Sequence, residues 1–226
     1  MSGPADGAWH GRRGAGPSGE RRKPSFAERR EARAAETDPE VVLAAAARFL
    51  EVRPRSVTEV RRRLRSAGYS ATLVEGAVVR LVELGFLDDA AFARAWVESR
   101  DRARPRGERA LRVELRQKGV GREETDEALS ERRDGAAGHV GVDGDGDGDG
   151  GPGPSVDEAA AQRLLERRAG QLGRVPDPRV RRQRAYALLA RNGFDPGVCS
   201  SVAKRFADQA DAPGAEDDAG GDGDDL

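Results

Sequence analysis

Apolar residues fall at helical intervals through most of the middle of the chain. Val42, Ala45, Ala46, Phe49 and Leu50 recur at spacings of three and four before Arg53-Pro54 stops the pattern; Val57, Val60 and Leu64 make a second stripe, and Val74, Ala77, Val78, Leu81 and Val82 a third. Each stripe predicts an amphipathic helix that must bury one face. Three of them within 45 residues predict one compact unit, residues 40–87.

The helix ends carry their own signals. Ser56 and Glu59 stand three apart at the start of the second stripe, as a capping box requires, and Thr72 with Glu75 has the same form. Gly68-Tyr69, Gly85-Phe86 and Gly119-Val120 each place a glycine and then an apolar residue just past a helical run. Such a glycine takes the left-handed C′ position and lets the next residue pack back on the helix. Asp88-Asp89 predicts the N-terminus of the next helix, whose buried side is read as Phe92, Ala95 and Trp96.

The plan then repeats. The first helix of a second unit, residues 88–133, ends near Arg102; the loop Arg104-Pro105-Arg106-Gly107 leads to a helix with Leu111 and Leu115, and a last helix begins near Gly121 and buries Ala128 and Leu129. Leu64 stands four before Gly68 and Leu115 four before Gly119, an offset of 51 residues that points to a tandem array of helical units. A third unit, residues 156–206, opens on Ser155 and Glu158, repeats the leucine-to-glycine interval at Leu189 and Gly193, and closes on the stripe Cys199, Val202, Ala203, Phe206 after Asp195-Pro196. Cys199 is read as core on that stripe, and Trp96 and Tyr186 are read as core as well.

Between and around the units the composition changes. Residues 1–39 are read as a disordered tail, residues 134–155 as an acidic Asp/Gly linker and residues 207–226 as an acidic tail. Asp143, Asp145, Asp147 and Asp149 invite a calcium reading, but the twelfth position of an EF-hand register would be Pro154 or Val156 where a glutamate is required. The acid hides a basic body. Residues 41–133 carry 20 Lys+Arg against 15 Asp+Glu and residues 156–206 carry 11 against 5, although the whole chain has a net charge of −1. This asymmetry points to a polyanionic or acidic partner.

A single cysteine excludes an internal disulfide, and with His10 and His139 far apart there is no zinc set. No phosphate loop, nucleophile elbow or metal motif occurs in the helical part, and no apolar run reaches membrane-spanning length. The expectation is therefore a non-enzyme without cofactor or metal, monomeric and cytoplasmic.

Arg55-Ser56 with Glu59 and Leu64, Gly85-Phe86-Leu87-Asp88-Asp89 with Phe92 and Arg100, and Gly107 through Glu114-Leu115 to Lys118-Gly119 together resemble the RecX regulators of the bacterial recombinase RecA. Gln183-Arg184 and Gly193-Phe194 are similar in the third unit. The resemblance spans about Val41 to Phe206 and implies an all-α fold: a curved, elongated array of three three-helix repeats. It also implies a non-catalytic activity, in which the protein lies in the groove of the RecA filament on single-stranded DNA and restrains its growth, ATP turnover and strand exchange.

Candidate partner contacts are basic residues on the second helix of each unit: Arg61, Arg62 and Arg65; Arg109, Arg112, Arg116 and Lys118; and Arg181, Arg182 and Arg184. Structural roles are expected for Ser56, Glu59, Gly68, Gly85, Asp88, Asp89, Gly107, Gly119 and Gly193. The rival reading is a stand-alone helix-turn-helix DNA-binding protein, which would use the same basic helices in a groove of the duplex.

Overall fold

The computed structural model describes residues 23–137 and 154–210, and every regular element among them is helical. Unit one consists of α2 (Pro39–Leu50), α3 (Val57–Ala67) and α4 (Ala71–Glu83), preceded by a short α1 (Phe26–Ala34). Unit two is α5 (Asp89–Ala103), α6 (Glu108–Lys118) and α7 (Arg122–Ala137). Unit three is α8 (Val156–Glu166), a single turn α9 (Ala169–Leu172), α10 (Pro178–Arg191) and α11 (Pro196–Ala210). The Asp143–Asp149 run and residues 211–226 lie outside the described residues, whereas α11 runs four residues into the segment expected as an acidic tail and buries Ala207.

Each unit has a core of its own, because each set of short amphipathic helices buries its stripes locally. In unit one the core gathers Val42, Ala46, Val60, Leu64, Val74, Val78, Leu81 and Leu87. Unit two is built on Phe92, Ala93, Val97, Leu111, Leu115, Val120 and Leu129. Unit three is built on Leu165, Ala185, Leu189, Phe194, Val202 and Cys199, which is fully buried and whose thiol burial pushes up in pKa. What joins the units is therefore largely polar.

Several expectations are corrected. The segment 1–39 is not structureless throughout: Ser25 and Glu28 form a capping box that opens α1, the same signature that opens α3 and α8. It lacks an apolar stripe and buries no residue, which is why periodicity missed it. Thr72 is not a cap; α4 is capped two residues earlier, by the Ser70 hydroxyl, which accepts the Leu73 amide. Glu75 instead accepts from Arg61 and Arg65 of α3. Phe86 does not pack back on its helix: it is exposed, and Leu87 turns inward in its place. Val82 and Tyr186 are also exposed, and on α5 the buried side is Phe92, Ala93 and Val97 with Trp96 half-buried, while Ala95 faces out. α7 continues four residues past 133, into the expected linker.

Candidate partner-binding surface

The second helices of the three units meet end to end. At the junction of units one and two, Ser56 is fully buried; its hydroxyl accepts the Glu59 amide within α3 and donates to the carbonyl of Lys118, the last residue of α6, at 2.5 Å. At the junction of units two and three the Gly107 amide donates to the carbonyl of Asn192 at 3.1 Å. Asn192 lies 74 residues beyond Lys118, the same offset that separates Gly193 from Gly119, so equivalent carbonyls are bound. Orphan carbonyls at one helix end thus meet orphan donors at the next, with the helix dipoles in register.

The glycines permit this approach. Gly119 and Gly193 both have φ near +80°, and a Cβ on Gly119 would sit 2.4 Å from Thr58 of α3, while one on Gly193 would sit 2.5 Å from Ala110 of α6. Gly107 is as tight, with a Cβ position 2.3 Å from the Gly193 carbonyl oxygen.

A carboxylate from the following unit completes each junction. Asp89 accepts the Val57 amide at 2.9 Å, so it caps α3 of unit one while Asp88 caps its own helix through Ala91. Asp157 does the same for α6, accepting the Glu108 amide at 3.1 Å. Burial raises the pKa of Asp89, outweighing the Val57 hydrogen bond that would lower it. Glu59 behaves oppositely: burial pushes it up, but the hydrogen bonds from Lys118 at 2.7 Å and from the Ser56 amide bring it below the usual carboxylate value. Arg132, almost buried, bridges Asp101 at 2.8 Å and Asp157 at 2.6 Å; burial opposes its charge, yet the two carboxylates raise its pKa.

The candidate basic residues divide into two sets. Arg61 and Arg65 both bind Glu75 of α4, at 2.9 and 2.7 Å, and Arg112 binds Glu108 at 2.8 Å and Asp126 of α7. Arg61 and Arg112, like Glu75 and Asp126, are 51 residues apart, so this clamp between second and third helix is itself repeated. Lys118 holds Glu59 and lies 4.9 Å from the centre of the Trp96 ring. Arg181 is buried and donates to the Val175 carbonyl. Arg62, Arg109, Arg116, Arg182 and Arg184 are exposed, and no side-chain partner holds them among the described residues.

Sequence reading missed the binding roles of Arg132, Asp157 and Glu114. Glu114 accepts from the Trp96 indole at 2.9 Å and from Arg100 at 2.7 Å. The one signal available was an acid near the start of each following unit, blurred by the linker.

Two basic clefts lie among the described residues. One, of about 720 Å³ between α6 and α7, is lined by Arg112, Arg116, Arg122 and Arg133 with Asp126 as the counter-charge. The other, about 420 Å³ in unit three, is lined by Arg168, Arg184 and Arg191. Unit one differs: between α2 and α4 lies an apolar groove of about 430 Å³, lined by Leu43, Leu50, Leu81, Leu84 and Phe86. No group of three or more His, Cys, Asp or Glu among the described residues could hold a metal ion, and no described helix is long and apolar enough to cross a membrane.

Fold and surface together define an all-helical repeat protein with basic clefts and an apolar groove. Family models place it further. Residues 43–81, 88–129 and 156–202 match the first, second and third three-helix domains of RecX. The chain is 33% identical over 172 residues to the regulatory protein RecX of Thermobifida fusca, covering 76% of this chain and 80% of that one. It is 33% identical over 156 residues to that of Amycolatopsis mediterranei, covering 69% and 77%. The chain belongs to the RecX family. The fold agrees with the crystal structure of RecX from Lactobacillus salivarius, with a TM-score of 0.58 and 17% identity over 74% of this chain and 96% of that one.

Proposed function

We propose that this protein binds the RecA recombinase filament on single-stranded DNA and restrains its ATPase, its growth and strand exchange. Family membership supports the reading, and one observation carries it to this chain: a single array holds basic clefts in units two and three and an apolar groove in unit one. A filament of protein wound on a polyanion presents both kinds of surface, and exposed arginines suit the phosphates while an exposed apolar groove suits a protein contact. The setting implied is the cytoplasm and recombinational DNA repair.

The stand-alone helix-turn-helix reading is disfavoured by the junctions. A recognition helix contacts base edges with its N-terminal residues. The N-terminal turns of α3 and α6 are occupied by the Lys118 and Asn192 carbonyls and by Asp89 and Asp157.

The test is RecA-dependent ATP hydrolysis on single-stranded DNA with and without this protein, beside a mobility shift lacking RecA. Inhibition at less than one molecule per recombinase protomer is expected, since an array that bridges protomers acts on several at once. Absence of inhibition at excess, or tight sequence-selective binding to duplex DNA alone, would reject it.

A further inference from the structure

The end-to-end arrangement of second helices has a third contact, made by α1. The carbonyl equivalent to those of Lys118 and Asn192 is that of Ala67, 51 residues before Lys118. It accepts from Arg33 of α1 at 3.4 Å. The glycine equivalent to Gly119 and Gly193 is Gly68, also at positive φ, and a Cβ there would meet the Arg30 backbone carbonyl oxygen of α1 at 2.7 Å. Arg33 also lies over the ring of Tyr69, the residue equivalent to Val120. So α1 sits where the N-terminal end of another second helix would sit.

It is a weak substitute. α1 buries no residue, Phe26 is 64% exposed, and a helix of 9 residues has little stability in isolation. At the opposite end of the array the N-terminus of α10 meets no other unit: Asp177 caps its own helix through the Arg179 and Val180 amides, and no described residue accepts from the Asp177 amide. Asp177 is the N-cap of α10 as Gly107 is of α6, where the Gly107 amide binds Asn192 at the junction within the chain; α10, with 14 residues against 11, reaches about one turn further from its C-terminal glycine than α6 does.

We propose that the end of α3, formed by the Ala67 carbonyl, Gly68 and Tyr69, is a docking surface for the α10 N-terminus of a second copy of this chain, and that α1 covers it. The occupant is specified by the chain itself, which makes this contact twice between its own units. The ends are different surfaces, so the contact is head-to-tail and extends into a row of copies and not a closed dimer. α1 holds the chain monomeric by occupying the site in cis, as terminal caps do in repeat proteins.

The experiment is sedimentation velocity over a concentration series on three full-length proteins: the parent, Arg33→Glu, and Arg33→Glu with Val180→Glu. A carboxylate at position 33 loses the bond to the Ala67 carbonyl and is repelled by the C-terminal end of α3. The parent should stay monomeric, while Arg33→Glu should show a weight-average mass that rises with concentration beyond that of a dimer. Val180→Glu, at the exposed start of α10, should return the double variant to a monomer. A chain lacking residues 1–36 keeps the core of unit one and should behave as Arg33→Glu does. Monomers from both Arg33→Glu and the shortened chain would overturn the proposal, and so would self-association that survives Val180→Glu.

Discussion

The Ser56 hydroxyl donates to the Lys118 carbonyl, 62 residues along the chain, and by that one bond ties the start of α3 to the end of α6. The contact converts a local cap into a junction between units whose apolar cores are separate. Removing the hydroxyl leaves a partly buried carbonyl and a partly buried amide without their partner. Ser56→Ala is expected to lower stability by about 1–2 kcal/mol, near the upper end for a helix cap, as read by urea denaturation.

Gly85 and Gly119 separate two costs that sequence alone does not distinguish. Both have positive φ, but a Cβ on Gly85 meets nothing within 4 Å, whereas one on Gly119 meets Thr58 at 2.4 Å. Gly85→Ala should cost about 1 kcal/mol from backbone conformation alone. Gly119→Ala should cost clearly more, because the end of α6 must move away from α3. Equal unfolding midpoints for the two variants would contradict the junction.

Glu59 and Asp89 flank the same junction and should titrate in opposite senses. Glu59 has a lowered folded pKa, so its stabilising contribution is present above the ordinary carboxylate value and is lost as pH falls through the folded one. Asp89 has a raised folded pKa, so its contribution is present at low pH and is lost as pH rises through the folded value. Between about pH 3 and about pH 7, Glu59→Gln should therefore lose stability relative to the parent as pH rises. Asp89→Asn, which keeps an oxygen for the Val57 amide, should gain. Parallel curves would refute the assignment.

Arg132 holds Asp101 and Asp157 together with only 6% of its side chain exposed. Arg132→Ala leaves two carboxylates facing each other in a largely buried junction and is expected to cost about 3 kcal/mol, measured by thermal unfolding. Arg132→Met with Asp101→Asn should recover part of that loss.

The repeats were legible because short helices with one buried face leave a 3.6-residue signature and a glycine follows the second helix of each unit. Leu64, Leu115 and Leu189 each sit four before a glycine, and all three are buried as expected. The surface was less legible. Arg61 and Arg62 are adjacent in sequence, yet one is clamped by Glu75 and the other is unheld, because 100° of helix rotation separates them and only the third helix of the unit decides which is met. The acids that close the junctions lie 32 and 49 residues from the amides they accept, beyond the reach of any local pattern. α1 carries a complete capping box but no apolar stripe, and the stripe was the stronger signal.

The most direct test of the account compares two sets of arginines in the inhibition of RecA ATPase on single-stranded DNA across a salt series. Arg62, Arg109, Arg116, Arg182 and Arg184, replaced together by alanine, should weaken inhibition by about tenfold or more and flatten its salt dependence while helicity is kept. Arg61→Ala with Arg65→Ala, which frees Glu75 and touches neither basic cleft, should lower stability and leave inhibition by the folded protein near that of the parent. Full inhibition by the five-residue variant at every salt concentration would contradict the claim that the unheld arginines face the partner.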